Sequence, residues 1–167
     1  MAQVSPCAPL RRGCALLLLA AGLLAGSGAS AQQVRIRQLN DFAFGTIGVA
    51  PVDQVLTDNL CVYSTAVSGR YTITARGSGS GSAFTLASGG NTLPYEVQWA
   101  FASGQSSGSV LSPGVAVAGT TTNRTDSTCG LTGSLTASLI VVLRTAAQQS
   151  GKAGTYSGTL TLLVAPN

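Results

Sequence analysis

Tyr71-Thr72-Ile73-Thr74-Ala75-Arg76 alternates without a break. In an extended chain Tyr71, Ile73 and Ala75 fall on one face and Thr72, Thr74 and Arg76 on the other, because successive strand side chains point to opposite sides. Ile and Thr also favour strands, since branching at Cβ stiffens χ1. The period of two predicts a strand with one apolar face and one polar face.

The same period recurs outward from this segment. In 93–99, Leu93, Tyr95, Val97 and Trp99 face one way, with Glu96 and Gln98 opposite. In 135–143, Leu135, Ala137, Leu139, Val141 and Leu143 share a face. In 156–164, Tyr156, Leu160, Leu162 and Val164 share a face, with Ser157, Thr159 and Thr161 opposite. Shorter strands are expected at 34–39, 42–49, 60–64, 84–87 and 115–118. The run GSGSGS at 77–82 reads as a turn, and 102–109 and 119–128 read as polar loops. Short strands joined by Gly-rich turns, without helical spacers, predict an all-β fold, a β-sandwich.

The first residues do not fit that pattern. Arg11 and Arg12 precede an apolar run at 15–24, and Ala29-Ser30-Ala31 follows as a small-x-small site. That order predicts a secretory signal peptide over 1–31 and a single mature domain over 32–167. The run is shorter than the roughly 20 residues that span a bilayer. No other apolar stretch is long enough, so no membrane span is expected in the mature chain. Removing Arg11 and Arg12 leaves seven basic residues against five acidic ones, a net charge of +2, and the basic residues are scattered. No nucleic-acid partner is expected.

Cleavage also removes Cys7 and Cys14 and leaves Cys61 and Cys129, 68 positions apart. Export into an oxidising compartment favours a disulfide between them. The alternative is two separate buried thiols.

Little in the chain points to catalysis. There is no His, which removes the commonest general base and metal ligand. No G-x-S-x-G elbow is present, and 77–82 lacks the Lys and helix of a phosphate loop. Asp53 and Asp58 flank a turn, where capping is expected over cation binding. Asn123-Arg124-Thr125 fits a glycosylation sequon. Trp99 and Phe101 read either as a sugar platform or, for Trp99, as core continuing the face of Leu93, Tyr95 and Val97. Neither enzymatic activity nor a cofactor nor a metal is expected.

Several motifs resemble a known family. Leu39-Asn40 is followed by Phe44-Gly45-Thr46-Ile47, then by Leu60-Cys61-Val62-Tyr63 and Tyr71-Thr72-Ile73. Gly77-Ser78-Gly79, Phe84-Thr85-Leu86, Leu93-Pro94-Tyr95-Glu96-Val97 and a closing run at 153–162 (AGTYSGTLTL) complete the order. Across roughly 39–166 this resembles the spore coat protein U-like family, which includes pilins of the archaic chaperone–usher class.

The resemblance implies an immunoglobulin-like sandwich lacking its last strand and completed by a donor strand from a partner. It implies a periplasmic pilus chaperone, an outer-membrane usher and neighbouring pilin subunits as partners. The protein would pass through the periplasm to a pilus on the cell surface, supporting adhesion and biofilm formation. The last strand would border the assembly groove through Tyr156, Leu160, Leu162 and Val164. In 32–38, Val34 and Ile36 alternate with Arg35 and Arg37. This segment is expected as a donor strand for a neighbour's groove, the alternative being the domain's own first strand. The family's usual cysteine before the Phe-Gly motif is absent, which implies a minor subunit. The rival reading is a free-standing secreted β-sandwich that binds a carbohydrate or protein ligand. A secreted hydrolase is disfavoured by the missing His.

Overall fold

The computed structural model describes residues 31–167 apart from Val49, Thr132 and Gly133. Except for Ala31, the expected signal peptide lies outside the described residues.

Among the described residues there are ten strands and one short α-helix: β1 Val34–Arg37, β2 Gln54–Ser64, β3 Arg70–Gly77, β4 Thr85–Ser88, β5 Asn91–Pro94, β6 Glu96–Ala100, β7 Ser109–Val110, β8 Ala116–Thr120, β9 Ala137–Leu143, α1 Thr145–Ser150 and β10 Leu160–Pro166. They form a five-stranded sheet in the order β1-β2-β9-β6-β7, a three-stranded sheet in the order β10-β3-β8 and the hairpin β4-β5. All of these pairings are antiparallel. The fold is all-β, as the period-two pattern predicts.

The core lies between the two larger sheets. Tyr71, Ile73 and Ala75 of β3 face Leu60 and Val62 of β2, Val97 and Trp99 of β6, and Leu139 and Val141 of β9, in one buried cluster. Every one of these side chains is at most 3% exposed, so the apolar face read from Tyr71–Ala75 is the face that folding removes from water. Trp99 belongs to this core rather than to a surface sugar platform.

Three segments depart from expectation. The 93–99 strand is broken at Tyr95. Pro94 ends β5 opposite Thr85, and the Tyr95 N–H turns to the Phe84 carbonyl, 2.9 Å away. The chain then changes partner, from β4 to β9. The β4-β5 hairpin itself turns at Gly89-Gly90, where Gly89 has φ +56°, a conformation that lacks a Cβ penalty only in Gly.

Strand β9 is buried on both faces, not one. Its outer residues Ile140 and Val142 cluster with Ala100, and Ser138 lies under the 102–105 loop. Gly104 N–H donates to Asn59 Oδ1, and Gln105 N–H to Ser138 Oγ.

The third departure is 42–49, which is expected as a strand. Its described residues are coil, bent at Gly45 with φ +68°. Phe42 and Phe44 still pack on the core, half buried.

Candidate functional site

The coil and the last strand bound the same gap. β10 pairs with β3 along one edge, from Leu160↔Gly77 to Pro166↔Tyr71. Among the described residues its other edge pairs with no strand. Leu160, Leu162 and Val164 face inward, as predicted, but remain half buried. Their neighbours Tyr71, Ile73 and Ala75 on β3 are fully buried. An unpaired strand edge with incompletely covered apolar residues is a ready template for another strand.

The cavity beside this edge has a volume of about 1200 Å³. Residues 39–48 form one wall and Leu160, Leu162 and the loop 151–159 the other. Leu139, Val141 and Leu143, the inner face of β9, line it as well, together with Leu86, Leu93, Tyr95 and Gln148. Burial raises the Tyr95 hydroxyl above its ordinary pKa. Along the coil, the only hydrogen bonds among the described residues run from Asn40, whose N–H and Nδ2 reach Asp58 Oδ2 and Oδ1 at 2.8 and 2.9 Å. From Asp41 to Gly48 the coil's backbone has no hydrogen-bond partner among the described residues.

The predicted groove residues divide. Leu160 and Leu162 line the cavity; Val164 shares their face without lining it. Strand β10 touches β1. Tyr156 lines the cavity from outside the strand, which begins only at Leu160. Its Oη donates to the Lys152 carbonyl and accepts from the Lys152 N–H, at 3.0 and 3.1 Å, closing a small loop. The physical reason for the late start is local. Ser157 bridges to Ala87, and Gly158 crosses so near that a Cβ there would stand 2.9 Å from the Thr85 carbonyl oxygen. The chain is held against β4 until it passes that crossing.

Val34 and Ile36, expected in a donor strand with the domain's own first strand as the alternative, lie in β1. β1 pairs within its own chain, with Val34 opposite Ser64 and Arg37 opposite Cys61. Val34 and Ile36 pack on the core, and Arg35 and Arg37 point outward. Arg35 Nη1 donates to the Ser127 carbonyl at 3.0 Å. The alternation that suited a detachable strand suits a first strand equally, because both must bury one face.

Cys61 and Cys129 form the predicted disulfide, with Cα atoms 5.9 Å apart. It ties the end of β2 to the loop before β9. Asn123 is enclosed beside it, only 8% exposed. Its Nδ2 donates to the Asp126 carbonyl at 3.0 Å and lies 3.2 Å from Cys61 Sγ. The Asp126 N–H donates to its Oδ1 at 3.0 Å. This amide braces the disulfide loop and is not presented as a glycan acceptor.

Asp53 and Asp58 take polar-contact roles. The Asp53 carboxylate accepts from the Thr145 N–H at 2.7 Å and from Arg144 Nη1 at 2.9 Å, so it caps the first turn of α1. Arg144 also pairs with Glu96 at 2.8 Å.

Sequence reasoning missed Phe42, Phe44 and Ile47 as a groove wall, and Gln148 altogether. Their alternation was the available signal for the aromatic pair. For Gln148 there was none.

No family model and no curated protein matches the chain. Among solved structures it is similar to a chain of a chaperone–tip adhesin complex of CFA/I fimbriae biogenesis, at TM-score 0.53 and 17% identity, with 81% of this chain and 41% of that one covered. The chain thus spans about two fifths of the length of the solved chain it matches. At that identity the likeness is one of fold alone, an all-β architecture.

Proposed function

We propose that the chain is a structural subunit of a surface pilus, of the spore coat protein U-like kind, assembled by donor-strand complementation. The observation that carries this reading is the pair of backbones that, among the described residues, flank one apolar groove without partners. Among these residues β10 pairs with no strand on its outer edge, and the coil 39–48 faces the same space with inward aromatics. One inserted strand would pair with β10 and cover Leu160 and Leu162. It would also give the coil a ladder and turn the expected 42–49 strand into one.

A periplasmic chaperone would supply the strand first, and a neighbouring subunit would replace it during export through an outer-membrane usher. The mature domain would be 32–167, a minor subunit supporting adhesion and biofilm formation. The fimbrial likeness in fold supports this reading, and the disulfide fits an oxidising compartment.

The test is complementation. Expressed alone, the exported protein is expected to aggregate or self-associate. A strand of alternating apolar residues joined after Asn167 by a flexible linker should convert it to a stable monomer. A cooperatively melting monomer without any added strand would sink this reading and favour a free-standing binder.

A further inference from the structure

Residues 33–40 are held along their whole length. The Gln33 N–H donates to Thr65 Oγ1 at 2.8 Å, and the Gln33 carbonyl accepts from the Thr65 N–H at 2.9 Å. β1 then pairs with β2 from Val34↔Ser64 to Arg37↔Cys61, and Arg35 reaches the Ser127 carbonyl at 3.0 Å. Asn40 closes the stretch on Asp58, at 2.8 and 2.9 Å. With cleavage after Ala31, only Gln32 stands ahead of the first of these bonds.

A strand that fills a groove of this kind needs more chain than that. β10 is seven residues long, roughly 20 Å at the rise of an extended chain. A strand pairing along it needs a comparable length, besides the link that leaves its own domain. Gln32 supplies one residue. Releasing 32–38 would supply the length but not the side chains. By alternation its inward positions are Gln32, Val34, Ile36 and Gln38, of which two are apolar. They would have to cover Leu139, Val141, Leu143, Leu160 and Leu162. Release would also uncover the core on which Val34 and Ile36 pack and bare the edge of β2.

We propose, resting on the reading of the groove as a strand acceptor and on cleavage after Ala31, that this chain accepts one strand and lends none. It therefore has a single strand-lending neighbour and stands at an end of the fibre. That neighbour is not a second copy, because a second copy has no strand to offer. It is a different subunit, one with a segment of alternating apolar residues ahead of its own first strand. Copies of the lone protein cluster through bare grooves and edges, not by exchanging strands.

The test separates lending from accepting. The exported protein, its groove open, is fixed to a surface through a tag joined after Asn167. Two soluble forms are passed over it, both with their own grooves filled by the alternating apolar strand joined after Asn167. One keeps its natural mature start. The other carries a second copy of that alternating strand, on a flexible linker, ahead of Gln32. Capture is counted as the part that the free peptide of the same alternating sequence displaces. The extended form is expected to be captured, and the form with the natural start to give no capture above a blank surface. Capture of the natural form, whatever the extended form does, overturns the proposal while the groove reading stands, since the chain then lends its own start. If neither form is captured, the groove takes no strand and both readings are overturned.

Discussion

Trp99 Nε1 donates a hydrogen bond to Tyr71 Oη, 3.2 Å away, and both side chains are fully buried. The bond crosses from β6 in one sheet to β3 in the other, so it fixes how the two layers meet. Phe101 packs edge-on to both rings, at 5.4 Å from Tyr71 and 6.5 Å from Trp99. Desolvation drives the Tyr71 hydroxyl far above its ordinary pKa, so the donor–acceptor pair persists across the physiological range. Tyr71→Phe keeps the ring and removes the acceptor, leaving the indole N–H buried and unpaired. A loss of about 1–3 kcal/mol is expected, read as a lower urea midpoint with unchanged slope in the strand-fused protein.

The Cys61–Cys129 bond closes a loop of 68 residues. Removing it by replacing both cysteines with serine should lower stability by about 2–5 kcal/mol. Alkylation of the denatured, unreduced mature protein should find no free thiol. Labelling of both cysteines would refute the bond. Asn123→Ala should reproduce part of the loss without freeing a thiol, because it strips the brace beside the sulfurs while the covalent link remains.

How much of this could be read from the chain depends on where each segment's partners lie. Tyr71–Arg76 and Ala137–Leu143 declare themselves because their apolar faces meet other parts of the same chain. Phe42 and Phe44 alternate in the same way, yet the structure leaves the described part of 42–49 as coil that bends at Gly45: a period of two specifies which side chains turn inward, not whether a second backbone is there to bond. Val34 and Ile36 show the limit from the other side, since alternation is the same for a lent strand and a kept one. Tyr156 was misplaced because a backbone crossing at Gly158 and Thr85 leaves no periodic trace. Gln148 was invisible for a similar reason. Its environment is built from Val52, Leu143 and Gly151, which meet only after folding.

The Arg144 cluster sets an acid limit. Hydrogen bonds from the Thr145 N–H and from Arg144 hold Asp53 down to about 2. Glu96 is lowered by its bond from Gln98 and, less, by Arg144. Both are depressed carboxylates. Their contribution is present above the ordinary carboxylate pKa, near 4, and is lost as pH falls through the folded values. Stability should therefore decline between about pH 4 and pH 2 as the cluster protonates. Asp53→Asn should flatten that part of the profile, as measured by thermal midpoint against pH. An unchanged slope would show that the cluster is idle.

Leu162 and Leu163 are adjacent and face opposite ways. Leu162 lines the groove, whereas Leu163 is 62% exposed on the outer face. Leu162→Asp places a charge where an inserted strand would seal it from water, a cost of several kcal/mol unless relieved. It should abolish co-purification with a cognate chaperone. Leu163→Asp should leave recovery unchanged. Equal behaviour of the two variants would show that β10 does not border the assembly groove.

The pairing of β1 favours a kept strand over a lent one. Its four residues pair with β2 from Val34↔Ser64 to Arg37↔Cys61, and Thr65 N–H extends the contact to the Gln33 carbonyl at 2.9 Å. Val34 and Ile36 are half buried against the core, contributing about 1 kcal/mol each on apolar area. Deleting Gln32 to Gln38 would remove that burial and the Arg35 bond to Ser127, and it would bare the edge of β2 beside the disulfide. Supplying a strand to the β10 edge does not compensate, because that edge belongs to the other sheet. The truncated protein should therefore fail to fold even with a complementary strand joined after Asn167, and protease digestion of the strand-fused pair, truncated and intact, makes the comparison. A truncated protein as resistant as the intact one would show that β1 detaches without cost, and would return 32–38 to the role of a strand lent to a neighbour.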